Sequence, residues 1–259
     1  MTGNRQRGVV LQNRDRHLLS ELSVMRIIDR EMTKIVAGLG STTQTNTRLL
    51  ELTRAGFLRR FFVGTIGSGR KAVYTLSAKG AELVSAQLGG INRPEGRLVS
   101  GDRFVEHQTG INQIYLEVKY PLARNRDVRL SRWHTFRQSI SEAIKLIPDG
   151  YFEITSAQGA RAAFLEVDLA TEALAVWKQK ITYYLQLAVS GEFAKRFRQP
   201  QFRVLVAASS ERRLANIRSV VAKSTDKVFW FTTLDSIKRE SIWSPIWLRP
   251  TGDQRHSLL

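Results

Sequence analysis

Apolar residues recur with the periodicity of a helix near the start of the chain. Five of them recur at three- and four-residue spacing: Leu18, Leu19, Leu22, Met25 and Ile28. This spacing predicts a helix over residues 14–29 with one buried face, and a shorter helix is predicted over residues 30–37. Ser41 is a good N-cap for a third helix, which should end at Gly56.

The pattern then changes to two strand-like runs, FLRRFFV and KAVYTLS, joined by the loop GTIGSGR. This arrangement predicts a β-hairpin with a basic tip, and three short helices before it suggest a helix-turn-helix. We therefore predict a first domain over residues 14–88, preceded by a basic arm over residues 1–13. Residues 89–101 contain four glycines and a proline with little apolar periodicity, which predicts a linker.

The rest of the chain mixes both periodicities. The predicted elements are, in order, a helix over residues 102–119, a strand over 127–136, strands over 150–155 and AAFLEVDLA, a helix over 171–190, the strand QFRVLVAAS, a helix over 210–223 and the strand KVFWFTTLD. A hairpin followed by right-handed crossovers predicts a mixed sheet of the α+β or α/β class over residues 102–240. Residues 241–259 are predicted to form a C-terminal tail.

Three acidic residues lie where two neighbouring strands of this sheet should end. Asp149 precedes one strand, and Glu166 and Asp168 lie on the next. Side chains two positions apart on a strand share a face, and pairing across the turn SAQGAR would bring Asp149 to them. Close carboxylates disfavour each other's ionisation, which favours a bound cation. Oxygen ligands suit Mg²⁺ or Mn²⁺.

A basic residue on the following helix could complete this cluster. One stripe of the helix should face the sheet: Trp177, Lys180, Ile181, Tyr184 and Ala188. Lys178 is rotated away by about 100 degrees, so Lys180 is the candidate. Two other interpretations remain open: the acids could be surface residues on an edge strand, and Lys180 could simply pair with Glu172.

The charge balance indicates the partner. Forty Lys and Arg residues against 23 acids give a net charge of +17, which favours a polyanion such as nucleic acid. The absence of cysteine excludes disulfides and thiolate metal sites. No signal peptide or membrane-spanning run is evident, so we expect a cytoplasmic protein without a membrane partner. The sequence contains no phosphate-binding loop of the G-x-x-x-x-G-K-[ST] type, which argues against an NTPase.

The string RLLELTRAGFLRRF, the hairpin and YTLSAKGAEL together resemble the winged helix-turn-helix domains of bacterial DNA-binding proteins. The resemblance implies that the third helix enters the major groove and that the hairpin touches phosphates. The DNA-binding residues that it implies are Thr42, Thr43, Gln44, Thr45, Asn46 and Arg48 on the helix, with Arg70 and Lys71 on the hairpin. A protein-docking module, in which the Thr and Asn side chains only cap and solvate the helix, is the alternative.

The second domain is similar to the PD-(D/E)XK nuclease fold, a restriction-endonuclease-like mixed sheet. Asp168 stands where that family has a lysine, and Lys180 is the candidate for a lysine moved onto the helix. The combination of PDG, E-x-D-x-x-T-E and K-x-x-x-Y behind a winged helix resembles the replication-relaxation family of plasmid and mobile-element proteins, related to tyrosine-independent mobilisation relaxases. It implies catalytic residues Asp149, Glu166, Asp168 and Lys180, with the three acids as metal ligands.

The activity implied by this resemblance is Mg²⁺- or Mn²⁺-dependent nicking of double-stranded plasmid DNA at an origin, for replication or transfer. The alternative is a non-catalytic DNA-binding accessory or regulatory protein with an inactive nuclease-like domain. Other replication or mobilisation proteins as partners, and a homodimer, are left open.

Overall fold

The computed structural model describes residues 9–64, 69–87, 101–121 and 127–259. Two compact units are present, Met1–Asn112 and Gln113–Leu259. Helices and two β-sheets together confirm the mixed α and β class. The predicted linker falls almost entirely outside the described residues, so that boundary stays a prediction. No helix in the described ranges is both long and apolar enough to cross a membrane.

The first unit contains helices packed with a small antiparallel sheet. Its elements are α1 (Asn13–Met25), β1 (Ile28–Asp29), α2 (Arg30–Ala37), α3 (Thr42–Arg54), β2 (Leu58–Gly64), β3 (Arg70–Leu76) and α4 (Ala78–Gln87). The strands lie in the order β1-β3-β2. The predicted hairpin is therefore present, and residues 65–68 of its loop lie outside the described residues.

Local chemistry sets the helix ends in this unit. The Ser41 side chain accepts a hydrogen bond from the Gln44 backbone N at 3.2 Å, which confirms the predicted N-cap of α3. The first helix is shorter than predicted, because the backbone of Arg26 turns to φ 65° and ends it. Ile28 then pairs with Tyr74 in the sheet instead of continuing the helix.

The second unit is built on one large sheet. Helix α5 (Asp102–Lys119) leads into it across the unit boundary. The elements that follow are β4 (Arg129–His134), β5 (Gly150–Ser156), β6 (Gly159–Asp168), α6 (Leu174–Val189), α7 (Glu192–Phe197), β7 (Arg203–Ala208), α8 (Glu211–Ala222), β8 (Phe229–Thr233), α9 (Leu234–Glu240), β9 (Trp247–Leu248) and β10 (Arg255–His256).

The seven strands lie in the order β10-β9-β8-β7-β6-β5-β4. Strands β4, β5 and β6 are antiparallel, whereas β6, β7 and β8 are parallel and are linked by α6, α7 and α8. The main core of the unit includes Phe164, Trp177, Tyr184 and Phe231. This arrangement brings the carboxyl end of β6 beside the start of α6, where the candidate site lies.

The C-terminal residues are part of this sheet. The predicted tail, residues 241–259, supplies β9 and β10. Trp247 is fully buried, and its indole Nε1 donates a hydrogen bond to the Ile242 carbonyl at 2.8 Å. The tail therefore folds with the second unit, because its apolar side chains are buried there.

Candidate functional site

Two acids meet at the ends of β5 and β6. The register pairs Gly150 with Leu165, so Asp149 stands opposite Glu166 on the neighbouring strand. The Asp149 Oδ2 accepts a hydrogen bond from the Val167 backbone N at 2.7 Å, which holds this carboxylate against β6. Glu166 is only 1% exposed. The hairpin thus brings Asp149 to Glu166, as the sequence predicted.

Helix α6 supplies the groups that bind Glu166. Lys180 Nζ donates to Oε2 at 2.9 Å, and the Tyr184 hydroxyl donates to Oε1 at 2.6 Å. Lys180 also lies 2.9 Å from Glu172 Oε2, so both pairings considered for this lysine occur together. The predicted stripe of α6 is confirmed except at its end, where Leu187 is buried and Ala188 is exposed.

Burial dominates the electrostatics of this cluster. It raises the pKa of Glu166 to about 7; the Lys180 ammonium lowers it, and the nearby Asp149 charge raises it further. Burial by itself lowers the pKa of Lys180, but the Glu166 carboxylate together with the charges of Glu172 and Asp149 more than offsets this, so the pKa of Lys180 stands above its ordinary value. Lys180 therefore stays charged, while Glu166 can change its protonation near neutral pH.

Asp168 lies on the same face but has different partners. Arg213 binds it through Nε to Oδ1 at 2.7 Å and through Nη2 to Oδ2 at 2.8 Å. Trp177 Nε1 donates to Oδ2, and the Ala170 backbone N donates to Oδ1, both at 2.7 Å. Burial alone raises the pKa of Asp168, but these donors outweigh it and hold the pKa below its ordinary value.

The three predicted acids therefore form two groups, an Asp149–Glu166 pair with Lys180 and an Asp168–Arg213 ion pair. Within the described ranges, no set of three or more His, Cys, Asp or Glu side chains is arranged to hold a metal ion. Mg²⁺ usually takes one or two protein carboxylates, so the Asp149–Glu166 pair fits such an ion. Asp168 does not fit, since, among the described residues, each of its oxygens already accepts two hydrogen bonds, whereas each oxygen of Glu166 accepts one.

Three residues of the site were missed from sequence. Tyr184 was placed on the stripe of α6 that faces the sheet but was given no role in the site, although its position one turn after Lys180 was a usable signal. Trp177 was also placed on that stripe, but its indole N–H carried no signal of a partner. Arg213 had no sequence signal at all, because it lies 45 residues from Asp168 along the chain.

The predicted DNA-binding residues of α3 divide by exposure. Thr42, Thr43, Gln44 and Asn46 are exposed. Thr45 is fully buried and its hydroxyl donates to the Ser41 carbonyl at 2.8 Å. Its side chain is thus not on the surface that the other four present.

The predicted basic contacts of the first unit already have partners within it. Arg48 donates through Nε to Asp15 Oδ1 at 2.8 Å and through Nη1 to Glu51 Oε2 at 2.6 Å. Lys71 pairs with Asp29, and the Arg70 guanidinium lies 5.7 Å from the Phe62 ring centroid. Arg70 and Lys71 are exposed, whereas the Arg48 side chain is 14% exposed.

The raised pKa of Glu166 predicts how pH affects stability. Because the folded pKa of about 7 exceeds the ordinary value of 4.5, the folded state binds more protons in that window, and this contribution falls as pH rises from 5 to 8. Glu166→Gln should remove a change of up to about 3 kcal/mol over that range. Urea unfolding in chelator, followed by tryptophan fluorescence, measures it in the second unit, which holds all five tryptophans. If the free energy of unfolding changes with pH in the same way in the wild type and in Glu166→Gln, the raised pKa of Glu166 is contradicted.

Comparison with known families gives a match over most of the chain. A family model described as replication-relaxation matches residues 17–198. The matched range includes Asp149, Glu166, Asp168 and Lys180 and ends before Arg213. Searches of curated proteins and of solved structures gave no match.

Proposed function

The chain belongs to the replication-relaxation family, and from that membership we propose that it is a DNA-binding, metal-dependent endonuclease that nicks plasmid or mobile-element DNA. The membership by itself indicates a role in the replication or relaxation of such DNA. The finer proposal adds a winged helix that binds the origin and a nuclease-like second unit that cuts one strand there.

One observation carries the catalytic part of the proposal: Lys180 contacts Glu166 at 2.9 Å, beside Asp149, at the ends of two paired strands. The site therefore places two adjacent carboxylates and an ammonium group at the ends of neighbouring strands. These are functional groups that metal-dependent phosphodiester cleavage uses. The raised pKa of Glu166 supports a functional role, because strongly shifted values concentrate at such sites.

In this proposal Asp149 and Glu166 would hold Mg²⁺ or Mn²⁺. When bound, such an ion lowers the pKa of a water molecule and neutralises charge on the scissile phosphate. Glu166 must be deprotonated to act as a ligand, and the Tyr184 hydroxyl fixes the orientation of its carboxylate. Lys180 supplies a permanent positive charge beside the phosphate. Asp168 acts indirectly, by holding Arg213 and Trp177 at the base of the site.

The DNA-binding part of the proposal is supported by the charge and by α3. The net charge of +17 favours a polyanion as partner. The exposed side chains at the start of α3 are short and polar, and such side chains suit base edges and phosphates. Double-stranded plasmid DNA is therefore the proposed partner of the first unit.

A specific observation favours the second candidate function, a DNA-binding replication accessory protein without nuclease activity. Both oxygens of Glu166 and both oxygens of Asp168 accept hydrogen bonds from neighbouring groups of the chain. Buried acids that are satisfied in this way are stable without a cation. The two candidates therefore differ in whether a metal ion displaces the Lys180 contact.

Nicking of supercoiled plasmids distinguishes the two functions. Plasmids that carry candidate origins are incubated with the protein and Mg²⁺, Mn²⁺ or a chelator, and the products are separated on agarose gels. We expect open circles with either metal and none with chelator. Binding of an origin without nicking under any metal would overturn the endonuclease in favour of the accessory protein.

The exposed face of α3 gives a separate expected result. Gln44→Ala and Asn46→Ala should each weaken origin binding by about 1–3 kcal/mol without lowering the melting temperature, since both side chains are exposed. Arg48→Ala should instead destabilise the first unit by about 3 kcal/mol, because Asp15 is 1% exposed and loses its ion-pair partner, keeping the hydrogen bond from the Gln12 backbone N. Fluorescence anisotropy and scanning calorimetry measure the two effects. If all three variants bind the origin with wild-type affinity, this assignment of α3 is contradicted.

A further inference from the structure

A cavity of about 500 Å³ lies at the far end of the same strands. It is lined by Arg161 at the start of β6, by Arg203 at the start of β7 and by Lys227 just before β8. Glu166 is five residues further along β6, roughly 16 Å away at about 3.3 Å per residue. The cavity is therefore distinct from the Asp149–Glu166–Lys180 site.

The lining of this cavity is strongly basic. Four of its side chains are cations, the fourth being Arg249, and none of the described residues that line it is acidic. The Asp226 charge acts on Arg249 without lining the cavity. Burial, with the neighbouring charges of Arg161 and Arg249, lowers the pKa of Arg203 to about 10. Like charges are thus held close together here at a cost in free energy.

One donor in the cavity has no acceptor. The Nε of Arg161 is buried and, in the part of the chain that the structure describes, makes no hydrogen bond. Buried donors are rarely left unpaired, because an unpaired one keeps the full cost of losing water. An anion in the cavity would relieve the repulsion among the arginines, and a rotation of the Arg161 side chain towards the cavity would pair this donor with it.

Two of the other arginines are fixed in place. The guanidinium groups of Arg203 and Arg249 lie 4.2 Å and 5.0 Å from the Trp230 ring centroid. Arg203 Nη1 donates to the Leu258 carbonyl at 2.7 Å, and Arg249 Nη2 donates to the Asp226 carbonyl at 2.9 Å. A guanidinium has five N–H donors, so a contact of this kind holds it while leaving donors for a ligand.

We propose that this cavity is a phosphate-binding site for a nucleotide unit, either free or within a DNA strand. Planar guanidinium groups match phosphate oxygens in a bidentate geometry. The apolar part of the lining, which includes Phe193, Pro200 and Phe202, suits a base or sugar, and the volume lies within the range of small-molecule sites. The proposal rests on the proposed function only for the source of the phosphate, because DNA is the expected partner.

Thermal unfolding followed by tryptophan fluorescence tests the site without any activity assay. The probes are inorganic phosphate, deoxyadenosine monophosphate and a short 5′-phosphorylated single strand, each against chloride at equal ionic strength. Ligands that bind only the folded state raise the melting temperature, so we expect an increase with phosphate. Arg161→Gln should weaken phosphate binding at least tenfold. It should not lower the melting temperature of the free protein, because the Arg161 Nε makes no hydrogen bond within the described residues and the Arg161 charge repels Arg203.

Matched variants separate this site from general charge effects. Arg212→Gln and Lys238→Gln remove one exposed cation each outside the cavity and pair with Arg161→Gln and Lys227→Gln. Equal weakening in the cavity variants and the controls, or no stabilisation by phosphate beyond chloride, would overturn the proposal. Binding of the monophosphate alone identifies a free nucleotide, and added binding of the strand identifies DNA. If the wild-type protein nicks none of the plasmids but still binds phosphate, the proposed endonuclease is overturned and the phosphate site is not.

Discussion

Asp149→Asn is expected to lower the rate of plasmid nicking about a thousandfold, since it removes one of two charged metal ligands. The amide oxygen of Asn can still accept the hydrogen bond from the Val167 backbone N, which the Asp149 Oδ2 accepts at 2.7 Å. The fold and origin binding should therefore be unchanged. The measurement is the initial rate of conversion of supercoiled to open circular DNA at saturating Mg²⁺.

A matched substitution and a second readout make this result decisive. Asp235→Asn changes an acid of the same unit whose side chain is 68% exposed and pairs with Arg239 along its own helix, so nicking should persist. Because the Asp149 charge raises the pKa of Glu166, that pKa should fall in Asp149→Asn, which carboxyl-carbon NMR titration detects. A normal nicking rate in Asp149→Asn would remove this residue from the site.

Local patterns predicted those parts of the molecule that local physics determines. The N-cap Ser41, the hairpin that follows α3 and the pairing of Asp149 with Glu166 all depend on residues close in sequence or joined by one turn. The orientation of Lys180 followed from helical periodicity alone. Each of these features could be predicted from the periodicity of one helix or strand and the length of one connecting turn.

The partners of Asp168 could not be predicted in the same way. A spacing of two residues fixes the face on which a strand side chain lies, but it does not say what stands above that face. Arg213 reaches Asp168 only after the chain has passed through α6, α7 and β7. The two short strands of the C-terminal tail were not predicted for a related reason, since a two-residue strand has no detectable periodicity.

The division of the acids changes the proposed chemistry. Where the nuclease resemblance implies a lysine, Asp168 holds Arg213, and the positive charge beside Glu166 comes from Lys180 on α6. In the proposed endonuclease the cation-binding acids are thus two rather than three. The Asp168–Arg213 ion pair then serves to hold α8 and α6 against the end of β6.

Asp168→Ala is accordingly expected to lower the free energy of unfolding of the second unit by about 3–5 kcal/mol. The substitution leaves the Arg213 charge, whose side chain is 11% exposed, without its carboxylate partner and with the Glu172 carbonyl as an acceptor for Nη2. The Trp177 indole N–H also loses its acceptor. Asp253→Ala is the control: its carboxylate pairs with Arg218 but is 99% exposed, so the loss should stay below about 1 kcal/mol. Urea unfolding followed by tryptophan fluorescence compares the two variants.

The double variant Asp168→Leu with Arg213→Met separates a positioning role of Asp168 from a ligand role. Replacing both members of a buried ion pair by apolar side chains of similar size restores the stability lost through the unpaired Arg213 charge, while the Trp177 indole N–H stays without its acceptor. If Asp168 only positions its neighbours, the double variant should be stable and should nick within about tenfold of the wild-type rate, whereas Asp149→Asn stays inactive. A double variant that is stable yet as inactive as Asp149→Asn would return Asp168 to the set of metal ligands, because restored packing cannot replace a lost carboxylate.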